Sequence, residues 1–539
     1  MVSFRTYRPT GDTYGQPLPA VLTIHGISSS GAMMDSFNIE LARRNFTVVS
    51  VDIAGHGRSS ERFGFDTFFE AVMDAYEAVR YVQLNDPNTD DTVYGVLGHS
   101  LGAGITLLFS NVSVTPESTI IIGGGMGDQF GGLVLPINQS TPRNLMIASG
   151  TFDELVTPAL ALETLQTATG MSTPSPGVIY GNFTEGTARK LVFSNTNHLF
   201  EMSDAVIISE SIDWLGRALQ GEAQTEQSML DPTQHIYQFV SLLDVIASIS
   251  FVLSIFPIIL ITNSHLPSHL TPQKMYEVPA ALESRPSLRY SLIIGTATSI
   301  LLLVLMLMGF IFEFSGLSLI PVSFGTALSL ISIVTGVTVV RLSRRILGRE
   351  LVGKLTIEFT SGRQHYLRNL YRSFILILPV LIWIFGFSIV TRNLLDNPLI
   401  ITFAADSGAA IFRFIYMIPL TFLLLPLFYS DTIWLNATVG ITTEWSSLQD
   451  IATRGIKAIV SRLLGYMLLV IFLYVPFLAG AQLGFVMFIA LLMLPFAVLF
   501  GLATLISVWV GGITRSTLTP ALLNAMIFAI VIVSIFQLV

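Results

Sequence analysis

The chain contains no cysteine. That excludes disulfides, thiolate nucleophiles and cysteine-based zinc or iron–sulfur centres. Charge is also scarce: Asp, Glu, Lys and Arg make up 12% of the 539 residues, against about 25% in an ordinary soluble domain. Positive charge is the scarcer sign, with 28 Lys and Arg against 36 Asp and Glu and a formal net charge of −8. No overall positive field is available to attract a phosphate backbone, so nucleic acid is not an expected partner. Hydrophobic residues, in contrast, reach 52%. A disordered chain and a wholly soluble protein are both excluded by that figure.

The deficit of charge is uneven. Residues 1–235 hold 25 acidic and 11 basic side chains, whereas residues 236–539 hold 11 acidic and 17 basic. The first part mixes short apolar runs with Gly, Asn, Asp and Ser clusters, and the second is dominated by long apolar runs. A boundary is expected near Asp231-Pro232, giving a soluble domain at 1–230 and an all-α transmembrane domain at 231–539.

A bilayer core needs about 20 apolar residues per helix. Eight spans are predicted, at roughly 239–261, 291–312, 317–340, 373–390, 410–429, 464–481, 484–508 and 519–539. Several carry proline, which a membrane helix tolerates when neighbours satisfy the freed backbone groups. Residues 449–463 read as an interfacial amphipathic helix feeding the sixth span. Two charges fall inside spans, Asp244 and Arg413. They read either as an ion pair holding the bundle or as a transport site, and Arg413 could also snorkel to a helix end.

Orientation follows from the loops. The stretch 341–372 carries Arg341, Arg344, Arg345, Arg349, Lys354, Arg363, Arg368 and Arg372 against only Glu350 and Glu358. Counted over alternate loops, the bias is 15 basic residues to one, Arg392, on the other side. The basic side stays in the cytoplasm, so the soluble domain is expected on the outer face, with the protein in the cell membrane. Asn-x-Ser/Thr sites at Asn45, Asn111, Asn138 and Asn182 fit that placement weakly. An outward domain calls for a signal or a membrane helix ahead of it. The opening MVSFRTYRP reads as a strand instead, so such a segment is expected upstream, which would make nine spans.

The soluble part carries the chemistry. Short buried-type strands are expected at 20–25, 47–52, 92–97, 118–122 and 144–148, with a helix at 67–84 between the second and third. Strand and helix alternate, so a parallel sheet covered on both faces is predicted. The third strand runs into Gly98-His99-Ser100-Leu101-Gly102, and a helix begins at about Ala103. This is a G-x-S-x-G pattern with a strand before it and a helix after it. A strained turn of that kind lifts the serine hydroxyl above the sheet and aims backbone N–H groups at the same spot.

With these features in place, residues 18–220 resemble an α/β-hydrolase domain of the broad esterase, lipase and dienelactone-hydrolase type. The motifs that carry the resemblance are Thr23-Ile24-His25-Gly26-Ile27, the stretch Asp52 to Ser59 containing Gly55-His56-Gly57-Arg58-Ser59, and the turn around Ser100. Late elements that supply acid and base complete it. It covers well under half of the chain and says nothing about the membrane part.

A serine hydroxyl needs a neutral imidazole to take its proton, and that imidazole needs a carboxylate to set its tautomer. In this fold the order along the chain is serine, acid, histidine. After Ser100, only His198 lies within the soluble part, apart from His235 at the membrane boundary. Gly150-Thr151-Phe152-Asp153-Glu154-Leu155-Val156-Thr157-Pro158 resembles the family's acid loop and picks Asp153, with Glu154 as the alternative. The resemblance also implies an oxyanion hole from the backbone N–H groups of Ile27 and Leu101. His25 and His56 read as supports for loops, and His99 as a packed filler of the turn.

Only about 20 residues separate Gly125 from Asn144, so no substantial lid is expected. The resulting reading is a membrane-anchored serine hydrolase acting on small-molecule or lipid esters or thioesters, with Ser100, His198 and Asp153 as its catalytic residues. It needs neither cofactor nor metal. A transporter or sensor whose hydrolase-like domain only binds ligand, and an acyltransferase, stay open as alternatives.

Overall fold

Segments of five to eleven residues, most of them rich in Val, Ile, Leu and Thr, pair as strands because branched side chains fit a pleated, covered surface. The computed structural model describes residues 2–9, 17–64, 67–125, 136–221, 230–270, 290, 293–298, 300–301, 325–349, 352–353, 362–395, 411–441, 445–480 and 485–535. Seven strands form one sheet: β1 (Ser3–Tyr7), β2 (Leu18–Ile24), β3 (Thr47–Asp52), β4 (Thr89–His99), β5 (Ser118–Ile122), β6 (Leu145–Gly150) and β7 (Arg189–Ser194). Their spatial order is β1-β3-β2-β4-β5-β6-β7. All neighbours run parallel except the edge strand β1, which pairs antiparallel with β3.

Both faces of the sheet are buried, and the period of two along each strand divides its residues between two cores. Ala20, Leu22 and Ile24 of β2, Val49 and Val51 of β3, and Val96 of β4 join one cluster, with α2 (Phe68–Asn85), α3 (Leu101–Leu108) and α4 (Pro158–Thr169). Val21, Val48, Leu97, Ile120 and Met146 point the other way. They pack with α1 (Asp35–Ala42) and α5 (Ala205–Leu215). Thr157 caps α4, accepting a hydrogen bond from the Leu160 N–H, and Asp204 caps α5 through the N–H groups of Val206 and Ile207. Such caps fill the unpaired donors of a first turn.

Contacts divide the chain into a unit of residues Met1–Asp244 and a second unit that takes in most of the residues from Val245 onward. In the first unit, the buried Arg44 ties down the segment that follows the sheet and its helices. It pairs with Glu40 at 2.8 Å and donates to the carbonyls of Leu230, Asp231 and Gln234. Glu40 in turn accepts the N–H groups of Ile236 and Tyr237 at 2.6 and 3.0 Å. A carboxylate is thereby placed at the start of α6 (Tyr237–Ser264), where the helix dipole favours negative charge.

The second unit is helical: the rest of α6, then α7 (Gly325–Leu347), α8 (Arg363–Leu395), α9 (Ile411–Val439), α10 (Leu448–Leu478), α11 (Phe485–Thr514) and α12 (Leu518–Ile535). Among the described residues six helices are long and apolar enough to cross a membrane, and α12 is a shorter apolar helix. Much of the expected second span, together with the start of the third, lies outside the described residues.

Helix limits depart from the hydropathy limits. Residues 449–463 and the sixth span form the single helix α10, and only residues 440–447 separate it from α9. Hydropathy marks the apolar middle of a helix, whereas the backbone hydrogen bonds continue through polar residues at either end. Arg372, placed in a loop by hydropathy, and Arg462, placed in an interfacial helix, therefore both sit in helices of membrane-crossing length. Arg462 on α10 forms an ion pair with Asp431 on α9, and its guanidinium lies 4.8 Å from the Trp434 ring centroid and 5.6 Å from that of Phe500. Arg372 on α8 donates to the Thr514 carbonyl at the end of α11 at 2.7 Å. Pro426 lies inside α9, and the Leu427 N–H donates across to Ser332 Oγ of α7 at 3.0 Å. Asp244 is half-buried on α6, and the side chain of Arg413 lies outside the described residues.

Candidate active site

The turn at Ser100 is built by its glycines. Ser100 has φ +54° and ψ −114°, a region that a side chain normally avoids. A Cβ on Gly98 would lie 2.2 Å from the Gly102 carbonyl oxygen, and one on Gly102 would lie 2.2 Å from that of Ile24. Strand β4 thus meets α3 with no room for side chains two residues either side of the serine. The Ser100 N–H donates to the Ile122 carbonyl at 2.9 Å, which ties the turn to β5. Strain at Ser100 is held by these surroundings.

Leu101 begins α3, and Ile27 follows the end of β2. Among the described residues neither backbone N–H is given to an acceptor. A Cβ on Gly26 would lie 3.2 Å from Ser100 Cβ, so the Ile27 loop runs beside the serine. His25 and His56 support that loop. His25 is bonded to the Gly26 carbonyl at 2.7 Å and accepts the Ile53 N–H at Nε2, at 3.0 Å. His56 is bonded to the Ala54 carbonyl. Burial lowers His25 to about 4, so it stays neutral.

On the far side of the turn, the loop after β7 carries His198, which is 4% exposed. Its Nδ1 bonds to Asp153 Oδ2 at 2.9 Å. Asp153 Oδ1 accepts the N–H groups of Leu155 and Val156 at 2.7 and 2.8 Å. Glu154, the alternative acid, faces elsewhere: it accepts the His198 backbone N–H and the Asn197 amide. Burial opposes a charge on Asp153, yet His198 and the hydrogen bonds hold its carboxyl below the usual range. Burial likewise opposes a charge on His198, but Asp153 raises the imidazole above its ordinary value. Among the described residues, no hydrogen bond joins the Ser100 hydroxyl to His198.

Two further side chains complete the cluster. His99 Nε2 bonds to the His198 carbonyl at 3.1 Å, and the two imidazole centroids are 4.8 Å apart. Burial, and then the neighbouring His198, lower His99 to about 3. Glu201, fully buried, accepts the Gly150 N–H at 2.6 Å and lies close enough to Asp153 for the two charges to act on each other. Its Oε2 lies 3.3 Å from His99 Nε2 and 3.8 Å from His198 Nδ1. No motif points to Glu201. The available signal is an acid three residues after His198, in a stretch otherwise apolar. Part of the segment between Gly125 and Asn144, where the lid was expected to be missing, lies outside the described residues.

The sheet topology, the strained serine and the neighbouring carboxylate–imidazole pair define an α/β-hydrolase domain. Residues 15–126 match the family model described as serine aminopeptidase, S33. No curated protein matches the chain. Solved structures with similarity to the chain include a hydrolase from Pseudomonas aeruginosa PA01, 13% identical with a TM-score of 0.29, the match covering 40% of this chain and 94% of that one. A thermophilic esterase from Thermogutta terrifontis is 13% identical with a TM-score of 0.30, covering 40% and 93% respectively. The enol-lactonase from Burkholderia xenovorans LB400 is also 13% identical, with a TM-score of 0.29 and coverage of 40% and 96%.

Proposed function

We propose that the chain is a membrane-anchored serine hydrolase of carboxylic esters, thioesters or lipid esters, working through Ser100, His198 and Asp153. The observation that carries this reading is the conjunction of a serine forced to φ +54° at a helix start and an imidazole bonded at Nδ1 to a buried carboxylate. With Nδ1–H held by Asp153, Nε2 is the free base. Substrate binding draws the Ser100 hydroxyl onto it, a contact that free enzymes often lack. Ser100 Oγ attacks the carbonyl carbon, and its proton passes to His198. The Ile27 and Leu101 N–H groups receive the oxyanion; one such donor is worth about 3–4 kcal/mol of barrier. The leaving alcohol or thiol takes the proton from His198, and water then releases the acyl group from Ser100 by the same route.

The basic loops of the helical part support a cell-membrane protein with its hydrolase domain on the extracytoplasmic side. Its partners in this reading are the ester substrate and the lipid bilayer. The test is a fluorophosphonate probe on the purified full chain. Wild type should label and Ser100→Ala should not. An ester and peptide panel run in parallel separates an esterase from an aminopeptidase, and products formed with added alcohols separate hydrolysis from acyl transfer. A folded wild-type protein that neither labels nor turns over any substrate would refute the reading.

A further inference from the structure

Glu201 has no part in the mechanism above, yet it is built into the site. Gly123 follows the end of β5 at φ +54°, and a Cβ there would lie 2.2 Å from Glu201 Oε2 and 2.9 Å from His198 Nδ1. The chain thus leaves out a side chain at this point to let the second carboxyl reach the imidazole. Oε1 is taken by the Gly150 N–H. Oε2 receives no N–H or O–H from the described residues, although it is fully buried. An ionised carboxylate left that way would be costly. As a carboxylic acid, the same oxygen becomes a donor, and the acceptor within reach is Asp153, whose Oδ2 and Glu201 Oε2 lie 2.9 and 3.8 Å from the same His198 Nδ1.

We propose that Glu201 is a positioning residue for the acid–base pair: it is present as a neutral carboxylic acid, donates its O–H to the Asp153 carboxylate, and so holds that carboxylate against His198 Nδ1. The groups that face it support this protonation state. Asp153 and Glu154 come from the loop after β6, His198 from the loop after β7, and His99 from the end of β4. His99 is neutral, and His198 is already paired with Asp153. Among the described residues, no cation is left to balance a second carboxylate. Burial, and then the charge of Asp153, push Glu201 well above the usual carboxyl range, as in other sites where two acids share one proton. Raising the pH removes that proton. Two adjacent carboxylates then repel, and Asp153 loses its fixed place.

The inference rests on the serine-hydrolase reading only for its kinetic arm, so the first measurement is independent of activity. Infrared spectra of the full chain at neutral pH should show a carboxylic-acid C=O band that is lost in Glu201→Gln and lost from wild type on alkaline titration. In the kinetic arm, Glu201→Gln keeps a donor toward Asp153 and an acceptor for Gly150. It should turn over p-nitrophenyl acetate within about threefold of wild type but without the alkaline fall. Glu201→Ala should lose about ten- to hundredfold in kcat with KM little changed. An unchanged acid band in Glu201→Gln overturns the proposal, as does a folded Glu201→Ala with wild-type kcat and pH profile. If Glu201→Ala does not fold, the infrared band and the Glu201→Gln pH profile decide. If wild type fails to label with fluorophosphonate, the hydrolase reading has failed and the infrared band alone decides the role of Glu201.

Discussion

Asp153→Asn tests the tautomer of His198 with little change of shape at the site. Asp153 Oδ1 accepts two backbone N–H groups, from Leu155 and Val156, at 2.7 and 2.8 Å. An asparagine must keep its carbonyl oxygen there, because its amide NH2 would meet two donors. The NH2 is therefore turned toward His198 Nδ1, at the 2.9 Å now occupied by Asp153 Oδ2. Nδ1 must then be an acceptor, which moves the ring proton to Nε2. An imidazole protonated at Nε2 cannot take the Ser100 proton. The expected loss is about 10⁴-fold in kcat, or about 5 kcal/mol of barrier, the size seen when this tautomer is reversed in a serine protease. Both backbone donors stay satisfied, so the fold survives, and the loss of the carboxylate's charge-assisted bond to His198 costs about 1–3 kcal/mol of stability. Esterase assays of the purified variant, with its melting temperature recorded beside them, test the point. A folded Asp153→Asn protein within tenfold of wild-type kcat would refute the reasoning. So would Glu154→Gln doing the greater damage.

The acid limb of kcat/KM should lie above the ordinary imidazole value of about 6.5. Asp153 raises His198 against the effect of burial, so the imidazolium persists to higher pH and base activity is lost as pH falls through that raised value. A midpoint below the free imidazole value would contradict the assignment. In the helical part, Arg462→Met leaves Asp431 buried without its cation. It should destabilise the bundle by about 3–5 kcal/mol, and adding Asp431→Leu should restore most of it. Melting temperatures in detergent measure both, and simple additivity of the two substitutions would count against a buried pair.

Much of the hydrolase domain is legible in the residues themselves. A strand must be short, branched and bounded by turn formers, and the strands from β2 to β6 meet that description plainly. The turn at Ser100 is legible because only glycine fits where α3 presses on the ends of β2 and β4. Helix limits in the bundle were less legible. Hydropathy reports how apolar a stretch is, and α9 and α10 continue past their apolar middles to bring Asp431 and Arg462 together.

By itself, the sequence determined the sheet with its two covered faces, the strained serine and the apolar helices, because each depends on a local period or a local steric need. The family resemblance put Asp153 ahead of Glu154, and the tertiary structure supplied the physical reason. Asp153 and Glu154 are chemically alike and one residue apart, and the loop after β6 turns one toward Nδ1 and the other toward a backbone N–H. Only the tertiary structure brought Glu201 into view. Its place beside Asp153 depends on the ends of β4, β5, β6 and β7 converging, a proximity in space that no spacing along the chain encodes.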